Sequence, residues 1–195
     1  MSMDSRKLRL HVLCEDKLHQ NFVERLADRW GIGYWQRTIQ ASPHARGSAA
    51  QFVLDNFVGF VKSCRSHHDA NVAGLVVIDG DEHGLQRRRQ QVNDLLRGAG
   101  EPALDPGDSR FAMIAPCWHI ETWIAWLCGH RPIDETTRYK PQDSLGSEVS
   151  RKIKKGDYSA RLAVKSWTPP RSDEAVHVPS LATSREELRR LGVAV

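Results

Sequence analysis

The residues best placed to do chemistry are carboxylates that follow short apolar runs. Asp79 and Asp81 flank Gly80 directly after Leu75 to Ile78, and Glu15, with Asp16 behind it, closes the run Leu8 to Leu13 in the same way. Glu121 follows a third run, Arg110 to Ala115, and stands near the start of a helix-like segment. In an extended chain, residues two apart leave the same face, so Asp79 and Asp81 are expected to point together, with Gly80 letting a ligand or metal reach the backbone. Hard carboxylate oxygens suit Mg2+ or Mn2+, which keep several waters and need no complete protein cage. Such an ion polarises a phosphodiester and activates water. The competing explanation is a plain turn, since Asp and Gly are common turn formers. A second acid-ended strand favours chemistry over that explanation, because parallel neighbours would bring Glu15 beside Asp79 and Asp81 outside the carboxyl ends of the sheet.

Two basic segments could serve a phosphate-bearing substrate next to such a site. Arg87, Arg88 and Arg89 open the helix after Asp81, and Arg151, Lys152, Lys154 and Lys155 form a cluster further on. Either run also fits an ordinary solvated face. A bare carboxylate cluster repels phosphate, so a nucleic-acid substrate would require some such cations.

The elements that must position these residues follow from periodicity. Leu75 to Ile78 shows no polar alternation, as expected of a strand covered on both faces. Leu18, Phe22, Val23, Leu26 and Trp30 repeat at helical spacing over 16–30, and Gly31 and Gly33 stop that helix. Tyr34 to Ile39 is a short second strand. Val53, Phe57, Phe60, Val61 and Cys64 mark a second helix leading back to the central strand, and His67 and His68 then form a polar, solvent-facing turn. Leu85, Val92, Leu95 and Leu96 mark a third helix ending at Gly98 or Gly100. After the strand Arg110 to Ala115 and Pro116, a helix over Trp118 to Leu127 buries Ile120, Trp123, Ile124 and Leu127. Near the end, Thr183 with Glu186 and Ser184 with Glu187 satisfy a capping-box spacing ahead of Leu188 and Leu191.

With 195 residues and a formal charge of +4, the chain fits one α/β domain, residues 1–130, with an extension, 131–195, packed on it. Hydrophobic and charged fractions of 40% and 27% are ordinary globular values, and no window reaches the roughly 18 to 20 apolar residues that span a bilayer. No membrane partner is expected. The first residues lack a signal-peptide core, which gives a cytoplasmic expectation. Cys14, Cys64, Cys117 and Cys128 contain no Cys-x-x-Cys pair and read as reduced, buried thiols rather than a disulfide frame or zinc site.

The order of elements, a strand ending in Glu, then helix, short strand, helix, a strand ending in Asp-x-Asp, helix, strand and helix, resembles the TOPRIM domain. That domain occurs in topoisomerases, bacterial primases, recombination mediators and OLD-family nucleases. The resemblance rests on Leu10 to Asp16 and Val76 to Asp81, while Ala115 to Trp123 is similar to small TOPRIM-like proteins of bacterial defence loci; it covers roughly residues 8 to 130. It implies an α/β, Rossmann-like TOPRIM fold with a central, mostly parallel four-stranded sheet flanked by helices. It also implies a general acid or base at Glu15 and divalent metal at Asp79 and Asp81; Glu121, whose place in a helix's first turn also fits a purely structural role, is a further candidate ligand by its own position after a strand end. Asp16 stands where many TOPRIM sequences have Gly, and Gln20 where some relatives carry another acid. The activity implied is that of a Mg2+- or Mn2+-dependent nuclease or related phosphodiester-processing enzyme acting on nucleic acid in anti-phage defence. The alternative is a non-catalytic protein that keeps the fold to bind nucleic acid or a partner of a defence system. A receiver-like phosphoacceptor fits less well, because the strand Arg110 to Ala115 does not end in lysine. A topoisomerase would need tyrosine-bearing DNA-gate domains for which the chain is too short.

Overall fold

The computed structural model describes residues 8–43, 49–67, 71–105, 107–137 and 157–193. The cluster Arg151, Lys152, Lys154 and Lys155 and residue His68 lie outside the described residues. Strands β1 (Arg9–Cys14), β2 (Arg37–Ala41), β3 (Val72–Val77) and β4 (Phe111–Ile114) form one sheet in the order β2-β1-β3-β4, with every pairing parallel. Helices α1 (Lys17–Arg29), α2 (Ala49–Ser66) and α3 (Gly84–Gly98) are the crossovers, and α4 (Ile120–Leu127) follows β4. The extension contributes α5 (Asp157–Lys165), α6 (Glu174–His177) and α7 (Pro179–Arg190). This is an α/β, Rossmann-like arrangement.

β3 is buried along its whole length because both faces are covered, as its unbroken apolar run predicts. Ala73, Leu75 and Val77 pack with Phe22, Val23 and Leu26 of α1 and with Trp123, Ile124 and Trp126 of α4. Val76 and Ile78 face the other way, toward Val53, Phe57 and Val61 of α2 and Val92 and Leu96 of α3. The first layer continues into the extension, where Ala160, Ala163, Val164, Trp167, Leu181 and Leu188 join the same cluster. Each fully buried Leu or Phe there contributes about 1.5–3 kcal/mol.

The strand order sets the position of the site. From β1 the chain steps to one side to form β2, then returns past β1 to place β3 on the other side. The direction in which strands are added therefore reverses between the parallel neighbours β1 and β3, and the crevice beyond their carboxyl ends is where open α/β sheets hold ligands. Register completes the placement: Cys14 pairs with Val77, which leaves Glu15 beside the exit of β3.

Several sequence expectations are corrected. Of the expected second strand, Tyr34 to Ile39, only the part from Arg37 is extended, in a strand that continues to Ala41, and Tyr34 and Trp35 instead begin a 3-10 turn at which they stand 71% and 93% exposed. The last helix begins at Pro179, not at the capping-box residues; Pro occupies its first turn, where no intrahelical N–H is needed, and Ser184 is buried in its interior. α4 begins two residues later than Trp118, which adopts a positive φ of 62°. His67 is half-buried against His11, with ring centroids 5.4 Å apart, rather than facing solvent. The four cysteines are free thiols, two buried and two half-buried. No described helix is long and apolar enough to cross a membrane.

Candidate metal centre at the β1–β3 switch point

Glu15 and Asp79 meet at this crevice. Glu15 Oε1 accepts a hydrogen bond of 2.7 Å from the Asp79 backbone N–H, a contact made available by the β1–β3 register. Glu15 is 5% exposed. Asp79 Oδ1 accepts from the Ile120 N–H at 3.0 Å, at the first turn of α4, where the helix dipole favours an anion. His119 Nδ1 lies 3.4 Å from Asp79 Oδ2.

His19 is the centre's third member. Its Nε2 is 3.0 Å from Asp79 Oδ1 and its Nδ1 is 2.8 Å from Asp16 Oδ1. Asp16 also caps α1, accepting from the Leu18 and His19 N–H groups at 2.9 and 3.0 Å, so one carboxylate both starts the helix and aims the imidazole. Ligand atoms of Glu15, His19 and Asp79 all lie within 4.8 Å of one another.

These groups sit at different points of the titration scale. Burial, then the charge of Asp79, pushes Glu15 up to about 7, against the pull of His19 and the Asp79 N–H. Burial acts to raise Asp79 as well, but His19 and His119 outweigh it and hold that carboxyl down at about 2. His19 resists charging through burial, yet Asp79 and Asp16 carry it well above the ordinary imidazole range. The half-buried Glu121 is raised by burial and then by Asp79, which places it within electrostatic reach of the centre; it is not one of the three residues whose ligand atoms cluster.

Asp81 departs from the same-face expectation. It adopts φ 48°, so the chain is no longer extended there and the two-residue rule does not apply. Its side chain is 56% exposed, against 15% for Asp79, and its Oδ2 accepts from Arg88 at 2.6 Å. The same guanidinium donates through Nε to the Asp79 carbonyl at 2.8 Å and through NH1 to Gln91 at 2.9 Å. Arg88 thus ties the β3 exit to α3 with three donors. Gly80 also serves differently from expectation. A Cβ there would lie 2.8 Å from Gly84 Cα and 3.0 Å from the Pro116 carbonyl, so it is protein backbone, rather than a ligand, that approaches so closely.

The β3 and β4 exits are zipped together by Gly80 N–H to Pro116 O at 2.7 Å and Trp118 N–H to Asp81 O at 3.0 Å. This pairing carries His119 and Ile120 to Asp79. The extension braces it from behind. Ser180 Oγ accepts from the Cys117 N–H at 3.0 Å, while Glu135 accepts from Trp123 Nε1 at 3.2 Å and from the Ser180 N–H at 2.9 Å.

Of the basic candidates, Arg87 is exposed and borders both the recess of about 490 Å³ beside Asp81 and an open groove of about 790 Å³ along α3. Arg89 pairs with Glu187 of α7 at 2.5 Å. His19 and His119 are not singled out by sequence reasoning, which names Asp16 as the acid behind Glu15 but not as the partner of His19. A signal for the first was present: His19 falls on the buried stripe of α1, four residues after Glu15, where an apolar side chain would be expected.

The donor set suits a divalent cation: a buried carboxylate poised near neutrality, an ionised carboxylate and a fixed imidazole. No family model matches the chain, and no curated protein matches it. Among solved structures, it is similar to the C-terminal region of the Burkholderia pseudomallei OLD protein, with a TM-score of 0.41 and 11% identity over 95% of this chain and 99% of that chain.

Proposed function

We propose that the chain is a metal-dependent nuclease, or a related phosphodiester-processing enzyme, of TOPRIM type. The observation that carries this reading is the meeting of Glu15 and Asp79 at the switch point of a parallel sheet, in the order and spacing on which the TOPRIM resemblance rests. In this reading Glu15 and Asp79 would hold Mg2+ or Mn2+, and Glu121, within electrostatic reach of Asp79, is a further candidate ligand. A bound ion supplies Lewis-acid polarisation of the phosphodiester and a more acidic water. Before an ion binds, burial and Asp79 raise the Glu15 carboxyl to about 7, so it gives up its proton near physiological pH, as binding an ion or acting as a general base requires. His19 and the Ile120 N–H keep Asp79 ionised and oriented. Asp81 acts through Arg88 to fix the β3 exit, and Arg87 offers a phosphate contact where the recess opens onto the α3 groove. Arg151, Lys152, Lys154 and Lys155 are further candidates for the nucleic-acid backbone, and anti-phage defence is the setting the resemblance suggests.

The test is cleavage of single- and double-stranded DNA and RNA by the purified chain with Mg2+, Mn2+ or EDTA, alongside Glu15→Gln and Asp79→Asn. Metal-dependent cleavage that falls to background in both variants is the expected result; cleavage that survives them overturns the reading. A second reading has its own observation. His19 already neutralises Asp79, and Arg88 already neutralises Asp81, which suits a non-catalytic protein that keeps the fold to bind nucleic acid or a defence-system partner. Saturable nucleic-acid binding without cleavage under any metal would favour it.

A further inference from the structure

Among the charged clusters of the molecule, one histidine is held as metal-bound histidines are held. His19 is 2% exposed, so packing fixes the plane of its ring. Its Nδ1 is engaged by Asp16 at 2.8 Å, the carboxylate–histidine arrangement that sets the tautomer of a ligating imidazole and directs the other nitrogen outward. That other nitrogen does not point into the core. It points at Asp79 Oδ1, 3.0 Å away, with the Glu15 carboxylate in the same cluster.

We infer that His19 is a nitrogen ligand of the ion this centre takes, aimed by Asp16, and that the centre therefore favours divalent ions that accept an imidazole nitrogen, Co2+ and Zn2+ first and Mn2+ after them, over Mg2+. This rests on the reading that Glu15 and Asp79 hold an ion. The geometry supports it, since two neighbouring ligands at about 2.1 Å from an octahedral ion lie about 3.0 Å apart, and ligands opposite each other about 4.2 Å apart. The observed 3.0 Å Nε2–Oδ1 separation matches the first of these, and the 4.8 Å bound on the whole group leaves room for the second. The chemistry supports it too. Mg2+ is a hard ion that takes oxygen, whereas imidazole suits softer first-row ions. In the ion-free chain the imidazole lies between two carboxylates and donates to both, so the ion takes the place of the proton on Nε2, which is released, while Nδ1 keeps its bond to Asp16.

The inference is tested with Mn2+ as the probe, by titration calorimetry and by pulsed electron paramagnetic resonance of the Mn2+-loaded chain. Expected is a 14N coupling in the wild type that persists in His119→Gln and disappears in His19→Gln, with Mg2+ bound at least about tenfold more weakly than Mn2+. Asp16→Asn keeps the α1 cap but loses the anionic partner of Nδ1, and is expected to weaken Mn2+ binding about 10- to 100-fold. Circular dichroism and thermal melts establish that each variant is folded, and Asp16→Asn carries the test if His19→Gln is not. Mn2+ bound without 14N coupling, or with a coupling lost only in His119→Gln, or equal affinity for Mg2+, overturns the role of His19 and leaves the metal reading standing. A folded wild type that binds neither Mn2+ nor Mg2+ overturns both.

Discussion

The molecule buries carboxylates in two ways, and the contrast separates scaffold from site. In the extension, Glu174 accepts from Arg185 through Nε at 2.6 Å and NH2 at 2.9 Å. The remaining nitrogen of that guanidinium donates to the Trp167 carbonyl at 2.6 Å, and the group lies 4.1 Å from the Trp167 ring. This is one acid matched by one permanent cation. At the β1–β3 switch point, by contrast, the buried Glu15 and the half-buried Asp79 are offset by His19, with His119 acting on Asp79 and Arg88 on Glu15. Acids offset largely by titratable imidazoles form an arrangement whose charge can change, as a centre that exchanges protons or takes up a cation requires.

The largest expected effect breaks the scaffold side of this contrast. Arg185→Met leaves Glu174 buried without its cation and is expected to cost about 3–5 kcal/mol in urea unfolding. Adding Glu174→Leu removes the orphaned charge and should recover most of that loss. Mn2+ affinity per folded molecule is expected to stay at the wild-type value. A variant that unfolds no more easily than the wild type would remove the distinction between the two sites.

The next effect sharpens the site side. The Glu15 carboxyl titrates near about 7 in the fold and at 4.5 as a free side chain, so the folded state binds that proton more tightly. Stability is therefore lost as pH rises from about 4.5 to 7. Glu15→Gln keeps an oxygen acceptor for the Asp79 N–H and carries no ionisation cost. In EDTA it should be more stable than the wild type at pH 8 by on the order of 3 kcal/mol, at about 1.36 kcal/mol per pKa unit, with no difference at pH 4. Thermal melts across that range check it, and parallel curves at all pH values would contradict the assignment.

The smallest of the three tests the close packing that brings the strand exits together. Gly80→Ala places a methyl against the Gly84 and Pro116 backbones, neither of which can swing aside as a side chain could. A loss of about 1–3 kcal/mol is expected, together with weaker Mn2+ binding, since the Gly80–Pro116 contact carries His119 and Ile120 to Asp79. Wild-type stability and affinity in this variant would show that the exits tolerate separation.

The fold was largely legible. Unbroken apolar runs and 3.6-residue stripes mark β1, β3, α1 and α2, because a strand covered on both faces and a helix packed on one each leave their own period in the sequence. Places where a local pattern competed with context were not. The capping-box spacing at Thr183 to Glu187 is real, but Pro179 had already started the helix. Tyr34 and Trp35 have strand-forming side chains, yet among the described residues no strand pairs with them and they remain in solvent.

The sequence by itself determined that acids would stand at the ends of β1 and β3, since the ends of buried strands are set by where apolar residues stop. Only the tertiary structure decided which side chains meet. The β1–β3 register, a long-range pairing that no local pattern encodes, set Glu15 against Asp79. The left-handed turn at Asp81 sent the second acid of Asp-Gly-Asp to Arg88. The packing of α1 on the sheet then brought His19, sixty residues earlier in the chain, into hydrogen-bond distance of Asp79.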